Sequence, residues 1–232
     1  MEMVKYRQYS EEERNARGLF LNYLKSIKEK VENGEFEPSV DWETIWVLSG
    51  PEHEFSEEKA HNAEDSVANQ TKERIEKGFE LVKEVTALRA NKRIKELELE
   101  DYKLHAPTLY YNGGEGRGES FRKMIESGDV QKTYGIPAEV IRISEHDPEI
   151  LHTGHQFDEY PDDLLRKGKT IVVTSWYHTP RTQEYITKKS QEENIPELED
   201  MMLVYPAGLS RLRVGRAVGE AKKVWDYFNK TV

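Results

Sequence analysis

Ser175, His178 and Arg181 follow one another at three-residue spacing in Val173-Thr174-Ser175-Trp176-Tyr177-His178-Thr179-Pro180-Arg181. A hydroxyl, an imidazole and a guanidinium so gathered can bind an anion and move a proton. Imidazole titrates near neutrality, which suits it to general acid–base work or to a phosphate; the plainer reading has His178 bonding its own loop. Arg181 can grip a phosphate or carboxylate with two parallel N–H groups, or form a surface ion pair. Ser175 can bond a ligand or cap a helix. Pro180 suits a first helical turn, where its missing N–H would have no partner.

The run begins where a strand should end. Thr170-Ile171-Val172-Val173-Thr174 is β-branched and apolar, the pattern of a buried parallel strand. Three other expected strands also end in polar or glycine-rich turns: Ser49-Gly50-Pro51, Asn112-Gly113-Gly114 and Ser144-Glu145-His146. In open parallel sheets ligands collect beyond the carboxyl ends of the strands. Ser49, Gly50, Asn112, Gly113, Gly114, Thr174, Ser175, Tyr177, His178 and Arg181 are therefore expected to share one rim. Glu119 opens the helix after the second strand, where the helix dipole favours a carboxylate whatever its role. His146, Asp147, His152 and His155 allow a metal reading, but Gly154 weakens the helix that would align His152 with His155. Metal-free loop histidines are the expectation.

The elements that must position these residues alternate. Strands are expected at 44–48, 108–111, 140–143, 170–174 and 201–205. Ser10 with Glu13 opens a capping box for a helix carrying Phe20, Leu24, Ile27 and Val31, and Asn33-Gly34 stops it. From Ser56 to about Leu99 the pattern is helical, with a stripe at Ile75, Phe79, Val82 and Val85. Arg89 to Glu100 alternates basic and acidic residues with few apolar ones and reads as a solvated helix extension or an insertion. A short helix is expected over Asp158–Lys167, another over Thr182–Glu192, and a last one with Val214, Val218, Ala221, Val224 and Trp225 on its buried face. Strands alternating with helices imply an α/β fold, a three-layer Rossmann-like parallel sheet. The expected organisation is an amino-terminal helical arm over residues 1–40 and the α/β domain over 41–232, with an insertion at about 86–105.

Composition narrows the function. The 232 residues carry a net charge of −10 with bases scattered among acids, which argues against a surface for duplex nucleic acid. A small anionic or nucleotide-like ligand in a local positive pocket is compatible with that charge. The chain has no cysteine, so disulfides, thiolate–zinc sites and thiol nucleophiles are excluded. No apolar run approaches the roughly 20 residues that cross a bilayer. Met1 to Arg7 lacks the apolar core of a signal peptide, and a cytoplasmic protein is expected.

Several segments together resemble a known family. Arg74 to Val85, then Leu109-Tyr110-Tyr111-Asn112-Gly113-Gly114 and Glu119, are similar to its arginine-bearing helix, glycine-rich strand end and following acid. Gly135-Ile136-Pro137-Ala138-Glu139-Val140-Ile141 matches its G-[VI]-P-x-x-x-I segment, and Val173 to Arg181 its V-T-S-x-[YF]-H-x-x-R signature. Over roughly residues 43–208 the chain resembles the YdcF/SanA/ElyC-like family of Rossmann-like domains. His152-Thr153-Gly154-His155-Gln156 replaces the family's N-T-x-E-N run and keeps its threonine. The resemblance implies ligand-binding roles for Thr153 and Glu119, and S-adenosylmethionine as a candidate ligand, since one branch of the family is associated with it and others with the bacterial envelope. The expected function is an enzyme acting on a nucleotide-like, S-adenosylmethionine-like or phosphate-bearing molecule, by transfer or hydrolysis. Arg181 and the glycine-turn amides would hold the anion, His178 would move the proton and Glu119 would orient a hydroxyl or water. The alternatives are a non-catalytic ligand-binding scaffold working through its charged helices, and a metal-assisted phosphoester hydrolase.

Overall fold

The structure is a computed structural model and describes residues 11–49, 67–113, 119–144 and 153–208. The described residues fall in two units, and the larger spans 38–210. In the smaller, helix α1 (Glu11–Glu32) carries Lys25–Glu29 and Lys28–Glu32 ion pairs at i,i+4 spacing. It stops at Asn33-Gly34, where Gly34 takes φ 72°. Its expected cap, Ser10, the segment 56–66 of the second expected helix and the last helix at Val214–Trp225 lie outside the described residues.

In the larger unit five parallel strands form one sheet: β1 (Trp42–Leu48), β2 (Thr108–Asn112), β3 (Ile141–Ile143), β4 (Lys169–Ser175) and β5 (Met202–Ala207). Their spatial order is β3-β2-β1-β4-β5, every pairing parallel. The chain thus moves outward from β1 through β2 to β3, then returns to place β4 on the other side of β1. That reversal makes a topological switch point between β1 and β4, the place where such sheets leave a crevice.

Period-two alternation along β1 sends side chains to two separate cores. Ile45 and Val47 face one side and meet α2 (Val67–Ala90) through Ile75, Phe79, Val82 and Val85. Tyr102 of α3 (Leu99–His105), Phe121 of α4 (Glu119–Glu126) and Val130 of α5 (Asp129–Tyr134) complete that side. Trp46 and Leu48 face the other side, against Phe157 of α6 (Thr153–Asp158), Leu164 of α7 (Asp162–Leu165), Ile186 of α8 (Thr179–Glu192) and Leu198 of α9 (Leu198–Met201). Helices α2 to α5 cover one face and helices α6 to α9 the other, giving the three-layer Rossmann-like α/β fold.

Helix α2 lies unusually close to the sheet. A methyl group on Gly78 would sit 2.6 Å from Val47 Cγ2 and 3.3 Å from Leu109 Cδ1, so hydrogen is the side chain this approach admits. Arg89, near the end of α2, fastens the helix to the amino end of β1. Its guanidinium donates to the carbonyls of Val40 (2.9 Å), Trp42 (2.9 Å) and His105 (3.1 Å) and to Glu43 Oε1 (2.6 Å).

Local differences from the sequence reading have identifiable causes. Asp158–Lys167 is not one helix: α6 and α7 are separated at Tyr160-Pro161, because a residue before proline is steered away from helical angles. Helix α8 starts at Thr179, not Thr182, with Pro180 in its first turn and a 3-10 turn at Trp176–His178 leading into it. The segment after Arg89 is more than a solvated extension. A 3-10 turn at Ile94–Glu96 and α3 bring Tyr102 into the core, while Lys92 and the largely buried Asp101 pair at 2.7 Å.

Candidate functional site at the carboxyl rim

Parallel register brings three of the expected residues to one rim. Asn112 lies opposite Leu48 across β1 and β2, and Val173 lies opposite Val47 across β1 and β4, so Ser49, Asn112 and Ser175 end adjacent strands. Two residues that the sequence reading did not assign to the site tie them together. Gln156 of α6 donates through Nε2 to Ser49 Oγ (2.6 Å) and to the Asn112 carbonyl (2.7 Å). Arg74 of α2 donates through Nε to Ser175 Oγ (2.9 Å) and through Nη1 to the carbonyls of Leu48 (3.1 Å) and Ser49 (3.2 Å).

Arg74 is the unusual member. It is 2% exposed, and its Nη2 is shielded from solvent with no hydrogen-bond partner. Burial pushes its pKa down; the phenols of Tyr177 and Tyr111 act in the opposite direction, and the like charge of Arg181 adds to the depression. An arginine nevertheless stays protonated in proteins, so the rim holds a buried positive charge. Arg89, on the same helix, makes the contrast: it also bonds strand carbonyls, but Glu43 balances its charge. Among the described residues, none of the acceptors of the Arg74 hydrogen bonds is a carboxylate. Buried charges are ordinarily paired, because an ion out of water costs several kcal/mol.

The β4–α8 turn supplies the rest. Thr174, Ser175 and Tyr177 are buried, while His178 and Arg181 are half-buried. Arg181 Nη2 lies 2.9 Å from His178 Nδ1. A guanidinium only donates, so Nδ1 is the acceptor and the neutral imidazole carries its proton on Nε2. The Tyr177 and His178 rings lie 4.5 Å apart, and Thr182 Oγ1 donates to the His178 carbonyl at 3.0 Å. His178 is thus held in one tautomer and one orientation at the start of α8, where the helix dipole is positive.

Other expected residues sit differently. Asn112 is fully buried: its Oδ1 accepts from Trp46 Nε1 (2.8 Å) and its Nδ2 donates to the Gln156 carbonyl (2.9 Å), so its amide shapes the rim from beneath. Glu119 does open α4, but its side chain is 62% exposed and pairs with Lys123 at 2.7 Å. Thr153 begins α6, one turn from Gln156, and is half-buried. Gly113 is buried, directly after β2. Gly50, Gly114, His146 and His152 lie outside the described residues. Among the described residues no group of three or more histidines, cysteines, aspartates or glutamates could hold a metal ion, and no helix is long and apolar enough to cross a membrane.

A signal for Arg74 was present in the sequence. Thr71, Arg74, Ile75, Gly78, Phe79 and Val82 share the buried stripe of α2, and a charged residue on an apolar stripe asks for a partner. Gln156, in a short polar helix, had no comparable signal. No protein-family model matches the chain, and no curated protein or solved structure is significantly similar to it.

Proposed function

We propose that this protein binds a small anionic molecule, nucleotide-like or phosphate-bearing, at the carboxyl rim of β1 and β4. One observation carries the reading: Arg74 is buried at the topological switch point, its Nη2 has no partner, and its hydrogen bonds reach no carboxylate. A ligand anion would supply the missing acceptor and the missing charge. Arg181 and the positive end of α8 strengthen the field at the same place, and His178 brings a proton on Nε2 to a reacting oxygen. S-adenosylmethionine remains a candidate through the family resemblance. A chain of this kind works as a transferase or hydrolase on a phosphate- or nucleoside-bearing substrate.

The test is a thermal-shift series on the full chain with nucleoside monophosphates, sugar phosphates and S-adenosylmethionine. A ligand at 100 times its dissociation constant stabilises by about 2.7 kcal/mol. A saturable shift that disappears in Arg74→Met supports the reading, and the absence of a shift with every compound removes it. Turnover of a bound compound that falls in His178→Gln and not in His155→Gln supports the enzymatic role. A second reading, a scaffold for a protein partner, has its own observation. Leu88, Ile94, Leu99 and Leu104, in the segment around 86–105, are 50%, 46%, 49% and 68% exposed. Under that reading Leu104→Glu abolishes association with a partner and leaves ligand shifts untouched.

A further inference from the structure

Arg74 shares its helix face with a second buried group that has nothing to bond. Thr71, Arg74 and Gly78 stand at i, i+3 and i+7 on α2, and Thr71 is fully buried. Among the described residues its Oγ1, like Arg74 Nη2, is shielded from solvent and has no hydrogen-bond partner. A helical threonine can satisfy its hydroxyl on the carbonyl four residues earlier. Thr86 of the same helix does so, donating to the Val82 carbonyl at 2.6 Å. Thr71 makes no such bond.

The run of α2 places Thr71 over the rim. Arg89 fastens one end of the helix to the amino end of β1, Gly78 lies against Val47, and Arg74 reaches the carbonyls of Leu48 and Ser49, where β1 ends. Going from Arg89 back to Thr71, the helix therefore advances toward the carboxyl rim. The three residues from Arg74 to Thr71 add about 4.5 Å along the axis, which sets Thr71 beyond the last residue of β1. Helical side chains lean toward the amino end of their helix, so Arg74 extends under the turn that carries Thr71. A guanidinium N–H and a hydroxyl are thus left unused on neighbouring turns of one face, where the crevice opens. Thr44 makes the contrast: its Oγ1 is also buried without a partner, but it lies opposite Thr108 and Thr170, toward the amino end of β1.

Resting on the anion-site reading above, we propose that Thr71 is a second ligand-binding residue of that site, its hydroxyl and Arg74 Nη2 each donating to an oxygen of one bound phosphate group. Arg74 supplies the charge and Thr71 a bond without charge. The unliganded protein carries the hydroxyl unsatisfied, so the group that weakens the fold strengthens binding.

Thr71→Val keeps the branching of the side chain and removes only the hydroxyl. The full chain and its Thr71→Val, Thr71→Ser and Thr44→Val variants are compared by thermal melting without ligand, and by calorimetry with inorganic phosphate and adenosine monophosphate. Thr71→Val is expected to melt above wild type, because a buried hydroxyl without a partner gives way to a methyl. It should bind both probes roughly tenfold more weakly, the loss of one hydrogen bond to a charged group. Thr71→Ser should keep the wild-type affinity, and so should Thr44→Val whatever its melting temperature, which separates a lost ligand contact from a change in stability. Unchanged affinity in Thr71→Val, beside a saturable wild-type response, overturns the role of Thr71 and leaves the anion site standing; a buried water then meets the hydroxyl. A Thr71→Val protein that melts below wild type, or does not fold, assigns the hydroxyl to the fold and overturns the proposal as well. No saturable wild-type response to either probe overturns it together with the phosphate-bearing reading on which it rests.

Discussion

Gly78→Ala tests whether the close approach of α2 to the sheet is what holds Arg74 in place. By helix propensity alone the change should stabilise, because alanine in a helix interior is better than glycine by about 1 kcal/mol. The structure predicts the reverse. The new methyl would fall 2.6 Å from Val47 Cγ2 and 3.3 Å from Leu109 Cδ1, both side chains being fully buried. Val47 is β-branched, with few rotamers to escape into, and an interior at crystal-like density has no void to receive it. Overpacking of this kind costs about 1–3 kcal/mol, which cancels the propensity gain and leaves a net loss of up to about 2 kcal/mol. The helix must move away from β1, and Arg74, one turn earlier on the same face, moves with it. Denaturant titration should show a lower midpoint with an unchanged slope, and any saturable anionic-ligand shift should weaken with it. Val47→Ala in the same chain should relieve the clash, making the double variant less destabilised than the sum of the singles by at least 0.5 kcal/mol. A Gly78→Ala protein more stable than wild type by about 1 kcal/mol would refute the close-packing argument.

Arg181→Ala should leave the melting transition within about 0.5 kcal/mol of wild type, since the side chain is half-buried and outside the core, yet weaken anion binding at least tenfold by calorimetry. Asn112→Ala should cost about 2–4 kcal/mol in denaturant titration, because it strands the Trp46 N–H and the Gln156 carbonyl in a buried place. High pH should unfold the protein through Tyr110 and Tyr160. Burial pushes each phenol up to about 12, with the Tyr160–Thr170 hydrogen bond acting the other way. In the unfolded chain they ionise near 10. Their protonation supports the fold fully below pH 10, and that support is lost as pH rises from 10 to 12. Each phenol accounts for at most about 2.7 kcal/mol. Their rings lie 5.6 Å apart, so the two titrate together. Tyr160→Phe should flatten the loss in a stability-versus-pH series.

What the sequence determined by itself was local and periodic. The β-branched and aromatic runs at 44–48, 108–111 and 170–174 announce strands, because a strand buried on both faces reads as a near-continuous apolar run. The alternation of strands with helices announces a parallel sheet, because parallel neighbours need a crossover. Ser49, Asn112 and Ser175 were readable as rim residues for the same reason: a parallel sheet collects the carboxyl ends of its strands on one side. The break between α6 and α7 was legible too, at Pro161, had the restriction on the preceding residue been given more weight than the apolar spacing. What only the tertiary structure decided is which polar groups satisfy one another. Asn112 looked like a ligand contact, but its amide is engaged by Trp46, 66 residues earlier, and by Gln156, 44 residues later. Arg74 and Arg89 look alike on one helix, yet Glu43 balances one, while among the described residues the other's hydrogen bonds go to carbonyls and hydroxyls. Spacing along the chain carries no information about such pairs. They depend on strand order and on how closely Gly78 lets a helix approach, and hydrogen bonds sense differences of tenths of an ångström that no periodic pattern encodes.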